Sequence, residues 1–238
     1  MSSQSEKGHA KNVANFEAEV SFCTAYGTAY NPSKQSLQVE ALKAQLSQSR
    51  SSLTEVTNKK NLLDLAINDR QILFGTLKPT ATRIVNALEA TDASQQTIDD
   101  AKSINKKVQG TRSSAKPAEG EAKRTISTSQ QSHDNQLENF SKLVDLVSSE
   151  PSYAPNEEEL KITTLNDYQQ KLHAANTSVI DANTVYSNSL ISRDATLYAT
   201  DTGLVDTALS VKKYVKSVFG ATSPQYKQIS KLEFVRPR

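Results

Sequence analysis

The chain has no tryptophan, one cysteine, one methionine, and only seven glycines and seven prolines in 238 residues. Each shortage excludes something. A lone Cys23 cannot close an internal disulfide or build a thiolate zinc site, and it suits a reducing compartment. Seven scattered glycines contain no glycine-rich phosphate loop. No apolar run reaches the roughly 18 residues needed to span a bilayer. No apolar stretch behind Lys7 and Lys11 makes a secretory signal. A cytoplasmic protein without a membrane span is the expectation. Charge of one sign is missing too. With 28 basic and 26 acidic side chains, the net charge of +2 lacks the basic excess of a nucleic-acid binder.

What is present is a polar, helix-prone chain, 36 % hydrophobic with a mean hydropathy of -0.56. Such a composition is too thin for a wide core but sufficient for narrow apolar stripes on layered helices. The first stripe, roughly 11–27, carries Phe16, Val20 and Cys23 and ends near Gly27, before the turn Tyr30-Asn31-Pro32-Ser33. From Ser33 to Phe74 there is neither glycine nor proline. Val39, Leu42, Leu46, Leu53, Val56, Leu63, Ile67 and Phe74 recur there as a heptad seam, interrupted by Ser49, Lys60 and Arg70. A helix of that extent would run roughly 60 Å at 1.5 Å per residue. Gly75 and Pro79 break it, and shorter helices follow at about 79–90 and 93–108, the second with Asp92 as its N-cap. Residues 111–123 have no apolar period and read as a linker. Helical signal returns with Leu137, Phe140, Leu143, Val144 and Val147, closed by Pro151 and Pro155. Asn156 with Glu157, Glu158 and Glu159 opens a second long helix, because acidic side chains favour a helix N-terminus.

The second half repeats the first. At a shift of 123 positions Tyr30 meets Tyr153, Pro32 meets Pro155, Leu37 meets Leu160, Leu42 meets Leu165, Arg70 meets Arg193 and Phe74 meets Leu197. Beyond that, Arg83–Leu88 matches Lys213–Val218 at a shift of 130, so the second copy carries one extra heptad. Heptad helices slide into register easily, but that does not explain the Tyr-x-Pro turn or the matching arginine. The expected fold is all-α. It is an elongated helical bundle built from two tandem copies of a helical unit, 1–110 and 124–238, with the long helices 33–74 and 156–200 at its centre. The second seam is wetter, with Gln169, Asn176 and Asn183 at core-type positions.

Chemistry-bearing residues are few. His9, His133 and His173 lack the paired Glu-x-x-His motifs of a di-metal bundle, so no metal and no organic cofactor is expected. Cys23 could serve as a nucleophile beside a base, but it reads as a small apolar member of the Phe16 and Val20 stripe. Arg70 and Arg193 interrupt the seam at the same place in each copy, with Asp69 and Asp194 nearby. They are read as internal ion pairs, the alternative being a basic pocket for an anion. Lys212, Lys213, Lys216, Lys227, Lys231, Arg236 and Arg238 make the C-terminal end basic, which a solvated helix face explains.

The segment GLVDTALSVKKYVKSVFGATSPQYKQISKLEF, with Arg193 upstream, resembles segments of bacterial helical proteins of unknown function. The resemblance covers about 40 residues and implies a bacterial origin and no particular activity. The functional expectation is a non-enzymatic structural or scaffolding protein acting through helix–helix contacts, with copies of itself as partner. Phe140, Val144, Val147, Leu232, Phe234 and Val235 are its candidate assembly contacts. The alternative is a regulatory helical bundle that binds a partner or ligand.

Overall fold

A computed structural model describes residues 8–110 and 131–236. The linker expected at 111–123 lies outside the described residues, as does Arg238. The described chain is all-helical, without a strand. Its helices are α1 (His9–Ala25), α2 (Val39–Gly75), α3 (Leu77–Glu89), α4 (Gln95–Gln109), α5 (His133–Ser148), α6 (Ile162–Tyr198), α7 (Leu204–Phe219) and α8 (Pro224–Ser230). No described helix is long and apolar enough to cross a membrane.

The two long helices begin later than their sequence patterns suggest, at Val39 and Ile162, and each has 37 residues. The reason is local. Gln35–Leu37 and Glu158–Leu160 form 3-10 turns ahead of them. The Tyr30 hydroxyl donates to the Leu37 carbonyl at 2.8 Å, and the Tyr153 hydroxyl to the Leu160 carbonyl at 3.1 Å. Both phenols are buried, so each needs an acceptor, and the 3-10 carbonyl supplies it. A helix starting at Ser33 would instead commit that carbonyl to residue 41. α2 ends at Gly75 and α3 starts after Thr76, so Pro79 falls harmlessly in the first turn of α3. The N-cap of α4 is Ser94, whose side chain accepts from the Thr97 N–H, and not Asp92. Gly203 closes the turn into α7, where an added Cβ would sit 2.6 Å from the backbone nitrogen of Ala199.

The described residues fall into two compact units, one drawn from 1–62 and 183–238, the other from 63–182. The division falls inside α2 and α6 and not at 111–123. In the first unit the core gathers on α1, α7 and α8, through Phe16, Val20, Cys23, Leu204, Val211, Val215 and Ile229. Leu42 and Leu46 of α2 and Leu197 of α6 close it. The second unit's core gathers on α3, α4 and α5, where Leu77, Ile84, Leu88, Ile98, Val108, Phe140, Leu143 and Val144 meet. Phe74 of α2, with Leu165 and Leu172 of α6, completes it. In neither unit do the long helices form the centre. Their stripes are too sparse, and the three shorter helices carry the denser apolar faces.

This placement corrects three of the expected assembly contacts. Phe140, Val144 and Val147 are at most 1 % exposed, because the whole apolar face of α5 is used against α3, α4 and α6 of its own unit. Side chains without accessible surface cannot meet a neighbouring molecule.

Candidate functional site

The buried polar groups of the first unit collect around α1. His9 and Asn12 lie one turn apart at its start. His9 Nδ1 is 2.8 Å from the Tyr198 hydroxyl at the end of α6, and Asn12 Nδ2 donates to the same hydroxyl at 3.3 Å. Burial, and then the nearby Arg193, lower the pKa of His9 below the usual imidazole value. Arg193 donates from Nε and Nη2 to Asp194 Oδ1, at 2.9 and 2.8 Å. The Arg193 side chain is mostly covered, whereas that of Asp194 is about half exposed.

Asn12 also grips the C-terminal segment. Its Nδ2 donates to the Val235 carbonyl at 2.7 Å, and its Oδ1 accepts from the Val235 N–H at 3.0 Å. Asn15 Nδ2 donates to the Glu233 carbonyl at 2.7 Å. Lys212 Nζ donates to the Leu232 carbonyl and stands 5.1 Å from the centre of the Phe234 ring. Arg236 pairs with Asp206. The segment lies extended with Leu232 and Phe234 turned inward, half-buried, and Glu233 and Val235 outward. Its alternation is the period of two of an extended chain. Leu232 and Phe234, expected as contacts to another molecule, are thus taken up by the unit they belong to. Val235 keeps an exposed side chain.

The same helix, α1, carries the least expected residue of the molecule. Glu19 is fully buried, and neither carboxyl oxygen has a hydrogen-bond partner among the described residues. Burial pushes its pKa up to about 9, with Lys212 acting in the opposite direction. Burial also lowers the pKa of Lys212. One turn on, burial and then Glu19 raise the Cys23 thiol to about 12. A thiol so protonated at neutral pH is a poor nucleophile, and Cys23 packs with Phe16 and Val20 as the stripe implied.

The second unit has a counterpart at the start of α5. His133 stacks edge-on against Phe74 with ring centres 4.6 Å apart, and burial, then Arg70, lower its pKa. Asn176 Nδ2 donates to Asp134 at 2.9 Å, while its buried Oδ1 lacks a partner among the described residues. Arg70 differs from Arg193. Its buried Nε has no acceptor among the described residues, and Asp69 is exposed. Arg70→Leu is expected to keep the fold and raise the urea midpoint, by about 1 kcal/mol of stability, since it removes an unmet buried donor. A variant that is destabilised, with native stability depending on added phosphate, would instead identify an anion held by Arg70.

These clusters were not legible in the 123-residue register, because α1 and α5 align at 124. At that shift His9 meets His133, Phe16 meets Phe140, Val20 meets Val144, Cys23 meets Val147, and Glu19 meets Leu143. The repeated histidine was the available signal. His173, by contrast, is exposed. Among the described residues no group of three or more His, Cys, Asp or Glu is placed to hold a metal ion. A groove of about 520 Å³ in the first unit is lined mainly by hydroxyls and amides, including Ser51, Ser52, Asn188, Ser189 and Ser192. Compared with family models, with curated proteins and with solved structures, the chain matches none.

Proposed function

We propose that the protein is a non-enzymatic scaffold, built by duplication of one helical unit, that associates with copies of itself through the long helices. The observation that carries this is where large aliphatic side chains meet solvent. The first unit exposes Leu62, Val185 and Ile191, and the second exposes Leu65, Ile72 and Ile180, all between 45 and 72 %. All six belong to α2 or α6. The shorter helices bury nearly all of theirs. Leu65 and Ile72 are seven residues apart, two turns, and so share one helix face. Apolar rows of this kind on an otherwise polar surface mark protein contacts.

Duplication is supported by the equal lengths and offset of α2 and α6, and by the twin tyrosine bonds to Leu37 and Leu160. Each compact unit then has the same make-up. It takes the first helix and the start of the long helix from one copy, and the end of the long helix with its closing helices from the other. The non-enzymatic reading rests on the chemistry of the less accessible groups: the one thiol is held protonated, and two of the three histidines, His9 and His133, are half-buried against aromatic rings.

Sedimentation velocity across protein concentration tests the proposal. The native chain should gain mass as concentration rises, and Ile72→Lys combined with Ile191→Lys should hold it at the monomer. A native chain that stays monomeric at the highest attainable concentration would sink the proposal.

A further inference from the structure

Glu19 has no evident purpose as a packing residue. Its counterpart at a shift of 124 is Leu143, fully buried in the second unit's core, so an aliphatic side chain suits such a position. The first unit carries a carboxyl there, with both oxygens unmet among the described residues. The cation whose charge acts on it, Lys212, is engaged elsewhere, on the Leu232 carbonyl and over the Phe234 ring. An unmet acceptor and a diverted donor side by side describe two alternative pairings of one lysine.

We propose that residues 231–236 form a latch coupled to one proton: docked, the segment holds Lys212 and leaves Glu19 neutral; released, it frees Lys212 to pair with Glu19, whose proton passes to solvent. Every other bond to the segment is compatible with release. Asn12 and Asn15 contact its backbone, and Arg236 holds it by an exposed ion pair with Asp206 and a 3.3 Å bond to the Tyr198 carbonyl. Release would uncover Leu232 and Phe234. This goes beyond self-association and does not depend on it.

The other groups around Glu19 do not mimic the effect. Cys23, Tyr26 and Tyr30, on its own helix and the loop after it, are all raised well above their ordinary values. Glu233 of the segment acts on Lys212. Arg50 of α2 pairs with Glu17 on the outer face of α1. α8 supplies Ile229, with Lys227 exposed, and α6 supplies Leu197. His9, held by Tyr198 beside Asn12, titrates below the usual imidazole value.

The sign follows from linkage. A carboxyl whose pKa is higher in the docked state supports docking fully at low pH. That support is lost as pH rises from the ordinary carboxylate range toward about 9, and changes no further above it. Methyl NMR of Leu232 and Val235 in the full chain, from pH 5 to 10, reads the docked fraction. The docking constant is expected to fall by up to about tenfold per pH unit inside that window. Glu19→Gln and Glu19→Leu are each expected to flatten the profile above pH 7, where His9 is already neutral. Lys212→Met should weaken docking at every pH and flatten it likewise. A native profile that is flat above pH 7, or one that keeps its slope in either Glu19 variant, overturns the latch. Glu19→Leu, which copies the second unit's Leu143, serves if the glutamine variant folds poorly.

Discussion

Phe140→Ala is expected to destabilise the protein by about 3–5 kcal/mol, the cost of removing a fully buried aromatic ring and leaving a cavity. Phe140 is one of the largest side chains with no exposed surface, and it meets the Tyr168 ring edge-on at 5.5 Å. Leu143, Val144 and Val147 on the same face belong to the same core, so the surrounding structure can relax only in part. Urea unfolding followed by circular dichroism measures the loss. The variant's mass in solution, under conditions where it remains folded, should equal that of the native chain. A variant of native stability with a lowered oligomer mass would return Phe140 to a surface role.

The second large effect has the opposite sign. Glu19→Leu is expected to stabilise the protein by about 1–3 kcal/mol at pH 5, the cost of burying an unmet neutral polar group, and by several kcal/mol more at pH 9, where the unfolded chain alone gains from ionising the carboxyl. The gain should shrink as pH falls. In the folded chain Glu19 titrates near 9, whereas in the unfolded chain it titrates as an ordinary carboxyl. The native protein's own stability is therefore fully present at low pH, declines as pH rises between those values, and is level above about 9. Paired urea titrations at pH 5, 7 and 9 check this. A stability difference independent of pH across that range would show that Glu19 is already charged in the folded chain. A Leu variant less stable than the native chain would show that the carboxyl has a stabilising partner.

The two predictions mark what the sequence could and could not tell. The helices, their all-α class and the breaks at Gly27, Gly75 and Pro151 follow from apolar period and backbone chemistry, which act locally. The apolar pattern places the starts of the two long helices before Val39 and Ile162, because it does not show that a tyrosine several residues away claims a carbonyl in each turn. Leu143 and Phe140 look like a surplus apolar face in sequence, since periodicity shows how many faces a helix has and not how many neighbours cover them. Glu19 was invisible for the reverse reason. A single acid on an amphipathic helix reads as solvated until the fold buries it in the core of its unit. Arg193 was legible because its partner, Asp194, is adjacent in the chain, whereas the setting of Arg70 beside His133 depends on residues far away in sequence.

The make-up of the two units also sets an order in time. The second unit is one uninterrupted stretch, residues 63–182, while the first needs the two ends of the chain to meet across those 120 residues. Closing a long loop has an entropic cost that must be met before its contacts form, and chains rich in such contacts fold slowly. During synthesis the second unit has all of its residues before the first has its closing helices. α1, with Glu19 and Cys23 on its inner face, emerges first and waits longest, its apolar stripe uncovered until α7 and α8 leave the ribosome.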